Sequence, residues 1–294
     1  MLLYSEYFEK DGLKFSCDMI RLDFTFNDFL FNQFQKFVDS FTLIPDCKYH
    51  LSYFHCLKTF AYRHLFTFSY SDFSDISFSI GLQFNGLKKS EFQKCFLEFN
   101  PNKCLSSVGY SWFKTFFNFF VDNQIKFNLC RYDLAIDIPV NRLQVSLLKD
   151  NRTYQLYYGN VIKNGVGDFT EYLGTRNKNG FVKIYNKTIE SNLNYNLTRV
   201  ESTLDSLDYN NFLNVLPNIS YLKNDFQFDL KQSDFAVLQL LLQQPQPYLY
   251  LSMFGRDKKQ KFKDILGSCI KLQLDYCDFV KIKNFIQRIV DKQI

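Results

Sequence analysis

The sequence predicts an α+β fold: an antiparallel sheet with packed helices, open to reading as pseudo-duplicated, followed by a mostly helical basic C-terminal region. Three observations predict it. Runs of strict apolar/polar alternation recur, as half-buried strands require. Between them lie segments whose Phe residues return at helical spacing. Finally, Arg21-Leu-Asp23-Phe-Thr-Phe is echoed by Arg131-Tyr-Asp133-Leu-Ala-Ile-Asp137, each a strand-like run with Arg and Asp on one face and a helical pattern after it.

Taken in order, 20–26 alternates as a strand, and Asp28 is placed to cap a helix carrying Leu30, Phe34, Phe37 and Phe41 on one side. The runs 61–70 and 75–84 read as a hairpin, Asn100-Pro101-Asn102 as a turn, and 106–124 as a helix with Trp112, Phe116, Phe119 and Phe120 on its apolar face. Residues 127–138 alternate up to Pro139, and 141–149 read as a short helix. Strands follow at 152–162, 168–175, 180–187 and 196–204, punctuated by the Asn/Gly turns Lys163-Asn164-Gly165 and Asn177-Lys178-Asn179-Gly180. Helices are expected at 234–243, stopped by Pro245 and Pro247, and at 275–290. The expected divisions are 1–205, with a Phe-rich half 1–126 and a more polar half 127–205, and a region 206–294.

Composition limits what the chain can be. With 46% hydrophobic and 22% charged residues over 294 positions, it can bury a core and is not a disordered chain. Mean hydropathy is −0.22, and no stretch approaches the roughly 18 apolar residues of a membrane span. Glu6, Glu9 and Lys10 occupy the place of a signal peptide's apolar run, so a cytoplasmic protein is expected. Of the 35 Phe, 24 precede residue 121, and their bland reading is core filler in a chain biased toward A/T-rich codons. The eight Cys form no CxxC pair and no Cys/His cluster at zinc spacing, which points to reduced, buried thiols. The net charge of +5 resides in residues 256–294, where ten Lys/Arg face five Asp. Such a segment is either a contact for nucleic acid or another anionic surface, or a solvated face.

Chemistry concentrates between 131 and 201. On a strand, alternate residues share a face, so Arg131, Asp133, Ala135 and Asp137 line one side. Buried carboxylates need a cation or a donor. A divalent Mg or Mn ion held by oxygen would meet that need, and so would an Arg–Asp ion pair; the residues leave both open. Arg199 and Glu201 share a face of another strand, as do Lys183, Tyr185 and Lys187. Two carboxylates with a lysine-flanked tyrosine suit phosphodiester chemistry, in which a phenolate attacks phosphorus and cations meet the developing charge. Tyr172 is a rival nucleophile. His50, His55 and His64 make no His-apolar-His motif, and no Walker-type loop is present.

Four motifs in order, Arg131-Tyr-Asp-Leu-Ala-Ile-Asp137, Thr170-Glu-Tyr-Leu-Gly-Thr-Arg176, Lys183-Ile-Tyr-Asn-Lys187 and Thr198-Arg-Val-Glu201, resemble the replication initiation factors of rolling-circle plasmids and some filamentous phages, a group related to conjugative relaxases. The resemblance covers about 127–205. It implies a relaxase-like antiparallel sheet and a nicking-joining endonuclease using a divalent metal, with carboxylates in place of the usual histidine pair. By position it makes Tyr185 the nucleophile, Asp133 and Glu201 the acidic ligands, Asp137 a third, and Lys187 a phosphate contact. Arg176 falls where a DNA-backbone contact is expected, with Arg131, Lys183 and Arg199 as further DNA-binding candidates. Asn186 departs from the acidic residue that many relatives carry after the nucleophile. The implied partners are origin DNA, double-stranded and single-stranded at the nick, a host helicase and a second copy in a homodimer, with no membrane. A mobilisation relaxase and a non-catalytic DNA-binding module on the same fold are the alternatives.

Overall fold

The computed structural model describes residues 8–43, 47–53, 64–70, 73–84, 91–148, 150–163, 166–222, 231–242 and 247–293. The chain runs β1 (Phe8–Lys10), β2 (Leu13–Asn27), α1 (Asp28–Phe41), β3 (Cys47–Tyr53), β4 (His64–Tyr70), β5 (Phe73–Phe84), β6 (Glu91–Phe99), α2 (Pro101–Cys104) and α3 (Tyr110–Asp122). It continues with β7 (Asn128–Ile138), a 3-10 turn (Arg142–Gln144), β8 (Val145–Leu147), β9 (Tyr154–Lys163), β10 (Val166–Leu173), β11 (Val182–Asn186), α4 (Lys187–Glu190) and β12 (Thr198–Leu204). The remainder is α5 (Tyr209–Val215), β13 (Ile219–Tyr221), α6 (Gln232–Leu242), a 3-10 segment (Pro247–Met253), α7 (Arg256–Ser268), β14 (Ile270–Lys271) and α8 (Tyr276–Val290).

The fold is α+β, dominated by one antiparallel sheet in the order β3-β4-β5-β6-β2-β7-β12-β11-β10-β9, with β1 pairing β2. The order repeats itself about the β2–β7 pair. In each half the first strand is central, the chain crosses to the outer edge, and three further strands return until the last pairs with the first. The sequence echo marks the centre of this pseudo-twofold: Arg21 lies directly opposite Arg131 in the register. Two like charges in that position would repel, and Glu98 on β6 reconciles them, 3.0 Å from Arg131 Nη2 and 3.7 Å from Arg21 Nη1. The repeat does not extend to the site residues, since Tyr185, Asp133 and Glu201 all stand in the second half.

One sheet face is apolar. Ile20, Leu22, Phe24, Phe26, Leu134, Ile136, Ile184 and Val200 are buried there under α1, α3, α5 and α8. Phe116 on α3 shows why so many phenylalanines are present, with its ring centroid 4.4 Å from that of Phe78, 4.8 Å from Phe68 and 5.0 Å from Phe41. Aromatic pairs at these separations add edge and offset contacts to their area burial. Helix α8 belongs to the same core through Phe279, Ile282, Phe285 and Ile286. It is fixed to the first hairpin by Lys10, whose ammonium lies 2.6 Å from Asp278 and 3.0 Å from Asp275. A second, smaller cluster joins α6, the 3-10 segment and α7 through Leu238, Leu251, Phe262 and Ile265.

Several local expectations are corrected. Asn27, not Asp28, caps α1, its Oδ1 accepting from Leu30 N at 2.8 Å. The Asn-Pro-Asn segment enters the short helix α2 rather than a turn, Pro101 standing at its first position where no N–H is needed. The helix expected at 141–149 is a single 3-10 turn. Asn141 and Gln144 close a capping box there, and the chain then extends into β8 because β13 is available to pair with it. The C-terminal region likewise contains β13 and β14, which build the three-stranded sheet β14-β13-β8. The start of the expected 61–70 strand, the 164–165 turn, Pro245 and His55 lie outside the described residues. Of the described cysteines, Cys17, Cys95 and Cys104 are buried, whereas Cys277 is exposed.

Candidate active site

The opposite face of the sheet is polar, and the register brings the motif residues together on it. Glu201 on β12 lies opposite Ala135 of β7 and Lys183 of β11; Arg199 lies opposite Asp137 and Tyr185; Thr203 lies opposite Asp133. Asp133 and Glu201 are therefore diagonal neighbours rather than facing ones, with the small Ala135 leaving room between them. Behind this patch the apolar face is pinned by Arg142 and Glu171, a buried ion pair. Arg142 Nη1 also donates to the Val145 carbonyl at 2.9 Å, and Tyr154 donates to Glu171 at 3.0 Å.

Tyr185 is only 4% exposed. Its hydroxyl donates to Glu201 Oε1 at 2.5 Å. The Lys183 ammonium lies 3.7 Å from its ring centroid and 3.9 Å from Glu201 Oε2. Burial, then the Glu201 charge and the hydrogen bond to it, hold the phenol well above its usual range, so the proton rests on the tyrosine. Glu201 is raised too: burial and the charge of Asp18 push it up, while Lys183, the Tyr185 hydroxyl and Arg199 pull the other way. The pair is a phenol hydrogen-bonded to a carboxylate whose proton affinity exceeds that of an ordinary glutamate.

The other candidates divide by partner. Asp133 accepts from Thr203 Oγ1 at 2.7 Å, and its carboxyl is raised chiefly by burial. Asp137 is bound on both oxygens by Arg199, Nε to Oδ1 at 2.6 Å and Nη2 to Oδ2 at 2.8 Å, and both residues are buried. Arg131 reaches Glu98 and, at 3.1 Å, Asn177 in the β10–β11 loop. Lys187 pairs with Glu190 at 2.5 Å and lies 5.8 Å from the Tyr185 ring. Asn186 caps α4, its side chain accepting from Ile189 N at 3.2 Å. Arg176 is exposed in the same loop as Asn177, between Gly174 and Gly180, whose φ values of +77° and +82° need glycine. His50 pairs with Thr67 and His64 with Tyr53 where β3 meets β4, in the other half of the sheet.

One site residue was missed. Asp18 sits where β2 slips register against β7, between Cys17 and Met19. Its Oδ1 accepts from Asn100 at 3.1 Å and lies 3.4 Å from Arg199 Nη1, and its charge raises both Asp133 and Glu201. No strand pattern could reveal it, because a bulge breaks the alternation on which such patterns rest.

Carboxylate oxygens are the donors a hard divalent cation takes. Asp133 and Glu201, both raised by burial and both within reach of the Asp18 charge, match that chemistry as a pair. Asp137 does not, because Arg199 takes both its oxygens. Among the described residues no group of three His, Cys, Asp or Glu side chains stands together as a ready-made metal centre.

No family model matches the chain. Among curated proteins it is 28% identical over 196 residues to a Replication initiation protein of Staphylococcus aureus, covering 63% of this chain and 58% of that protein. A second Staphylococcus aureus protein of the same name is 27% identical over 180 residues, 58% of this chain and 53% of its own. The chain thus spans little more than half the length of the curated relatives it matches. A solved rolling circle replication initiator protein from Geobacillus stearothermophilus aligns with 86% of this chain and 97% of its own, at 12% identity and a TM-score of 0.39. In sequence the chain is thus similar to replication initiation proteins, in line with the resemblance of its four ordered motifs to the rolling-circle initiation factors.

Proposed function

We propose that the protein initiates rolling-circle replication by nicking and rejoining origin DNA, with Tyr185 as nucleophile. The observation that carries this reading is the 2.5 Å hydrogen bond from the Tyr185 hydroxyl to Glu201, on a sheet face supplied with cations. Glu201 Oε1 takes the phenolic proton as Tyr185 Oη attacks phosphorus. The bond from phosphorus to the 3′ oxygen breaks, leaving a 5′-phosphotyrosyl adduct and a 3′ hydroxyl once that oxygen is protonated. Lys183, beside the ring, offsets charge as the phenolate forms. Lys187 stands near enough to meet the phosphate when it leaves Glu190. Because an aryl phosphodiester keeps the energy of the bond it replaces, the step can reverse and rejoin the strand. A divalent Mg or Mn ion would be held by Asp133 and Glu201 and would polarise the scissile phosphate. Asp137 and Arg199 act as a positioning pair: Arg199 is opposite Tyr185 on one side in the register and is fixed by Asp137 on the other.

Origin DNA is the partner this reading requires, and the exposed Arg256, Lys259 and Lys263 of α7 supply phosphate contacts for it. The test is covalent transfer. Supercoiled DNA carrying the element's own origin, incubated with the protein and Mn, should yield relaxed circles with protein attached, and peptide mapping should find the nucleotide on Tyr185. Tyr185→Phe should fold and bind DNA yet form no adduct. A nucleotide found on Tyr172, or full activity in chelator, would overturn the corresponding assignment.

A further inference from the structure

We infer that Tyr172 and Phe181, continued by Tyr157 on the edge strand, form a stacking platform for unpaired bases beside the scissile phosphate. The inference rests on the nicking reading for its substrate and adds where the strand lies. In the register Tyr172 is opposite Lys183, and Phe181 precedes Lys183 by two residues, so both rings belong to the polar face. They lie parallel, 16° between planes and 5.9 Å between centroids, and each is half-buried, leaving ring surface open to solvent. Phe181 is also hydrogen-bonded through its carbonyl to Thr203 N, which puts it level with Asp133. Thr203 thus stands between Phe181 and Asp133, and Lys183 between Tyr172 and Glu201, so the aromatic pair lies one strand beyond the carboxylates on the same face.

Tyr157 extends the track. It pairs with Thr170, shares the polar face and is 61% exposed. Two strand spacings separate β9 from β11, so it stands about 10 Å from the line of Tyr185. Exposed Arg176 and Lys178 in the β10–β11 loop border the same strands. Rings on an open sheet face with cations at their margin are the means by which proteins hold single strands without reading sequence. The recess at Tyr185 gives a reason to need them: a phenol only 4% exposed can meet a phosphodiester only if the strand leaves its duplex, and the bases so unstacked require new partners.

The test uses the full chain carrying Tyr185→Phe, in chelator, so that nicking plays no part. A 12-nucleotide single strand containing 2-aminopurine reports stacking by fluorescence and affinity by titration. Tyr172→Leu should weaken binding about tenfold and relieve the quenching, whereas Tyr172→Phe, which keeps the ring, should bind like the parent. Tyr157→Ser, at an exposed position where folding is not at risk, should weaken binding in the same direction. Unchanged affinity in both Tyr172→Leu and Tyr157→Ser would overturn the platform. So would an abasic strand that binds as tightly as the parent. Failure of the active protein to form an adduct would sink the nicking reading instead, and leaves this measurement standing.

Discussion

Asp137 was expected as a third metal ligand, yet the structure gives both its oxygens to Arg199, and that difference can be measured. Asp137→Asn keeps the shape and removes the charge, but turns an amide N–H₂ toward a guanidinium that can only donate. Removing one partner of a buried pair costs about 3–5 kcal/mol, since the other charge is left uncompensated. Here Asp18 stands 3.4 Å from Arg199 Nη1 and offsets part of the loss, so the lower end, about 3 kcal/mol, is expected. At roughly 2–4 °C per kcal/mol for a domain approaching this size, melting should fall by roughly 6–12 °C. Replacing both residues, Asp137→Leu with Arg199→Met, should cost clearly less than the two single changes together. Circular-dichroism melts of the parent, Asp137→Leu, Arg199→Met and the double variant give the cycle, and calorimetric titration with Mn gives the metal affinity of Asp137→Asn. An Asp137→Asn protein that melts like the parent but loses Mn binding would refute the ion-pair account and restore Asp137 to the metal set.

Burial raises Asp133, so its contribution to stability is full only below the unfolded carboxyl pKa and is lost as pH rises through the higher folded value. Asp133→Asn should accordingly raise the melting temperature at pH 7, with the gain vanishing in acid, while nicking is lost; an unchanged melt would contradict that sign. For Glu201, raised in the same way, nicking should fall in acid with a midpoint above the ordinary glutamate range, and Glu201→Gln should lower the rate about 10²- to 10⁴-fold and flatten that limb. Phe116→Ala should cost about 3–5 kcal/mol in urea unfolding, whereas Phe29→Ala, at a position 68% exposed, should change stability by less than about 0.5 kcal/mol. Lys259→Gln with Lys263→Gln should reduce the salt slope of DNA binding by about 0.9 per lost phosphate contact, and an unaltered slope would make α7 a solvated face.

The sequence by itself determined the face on which the chemistry lies. Alternation is a local property, so the common face of Lys183 and Tyr185, and that of Asp133 and Asp137, followed from spacing alone, as did the helical stripe that buries Phe34 and Phe41. Lys187, expected on the same strand, instead begins α4, because β11 ends at Asn186. The echo of Arg21 in Arg131 was visible too, because duplication leaves its trace in the chain. Partnership was decided only by tertiary structure. Which strand lies beside which, and in what register, depends on contacts between residues far apart in sequence. No spacing rule could show that Arg199 closes on Asp137, that Glu201 receives the Tyr185 proton donor, or that β13 draws residues 145–147 out of a helix. Asp18 is the sharpest case: a slip in register against β7 sets it near Arg199, 181 residues away, and only the assembled sheet makes that slip favourable.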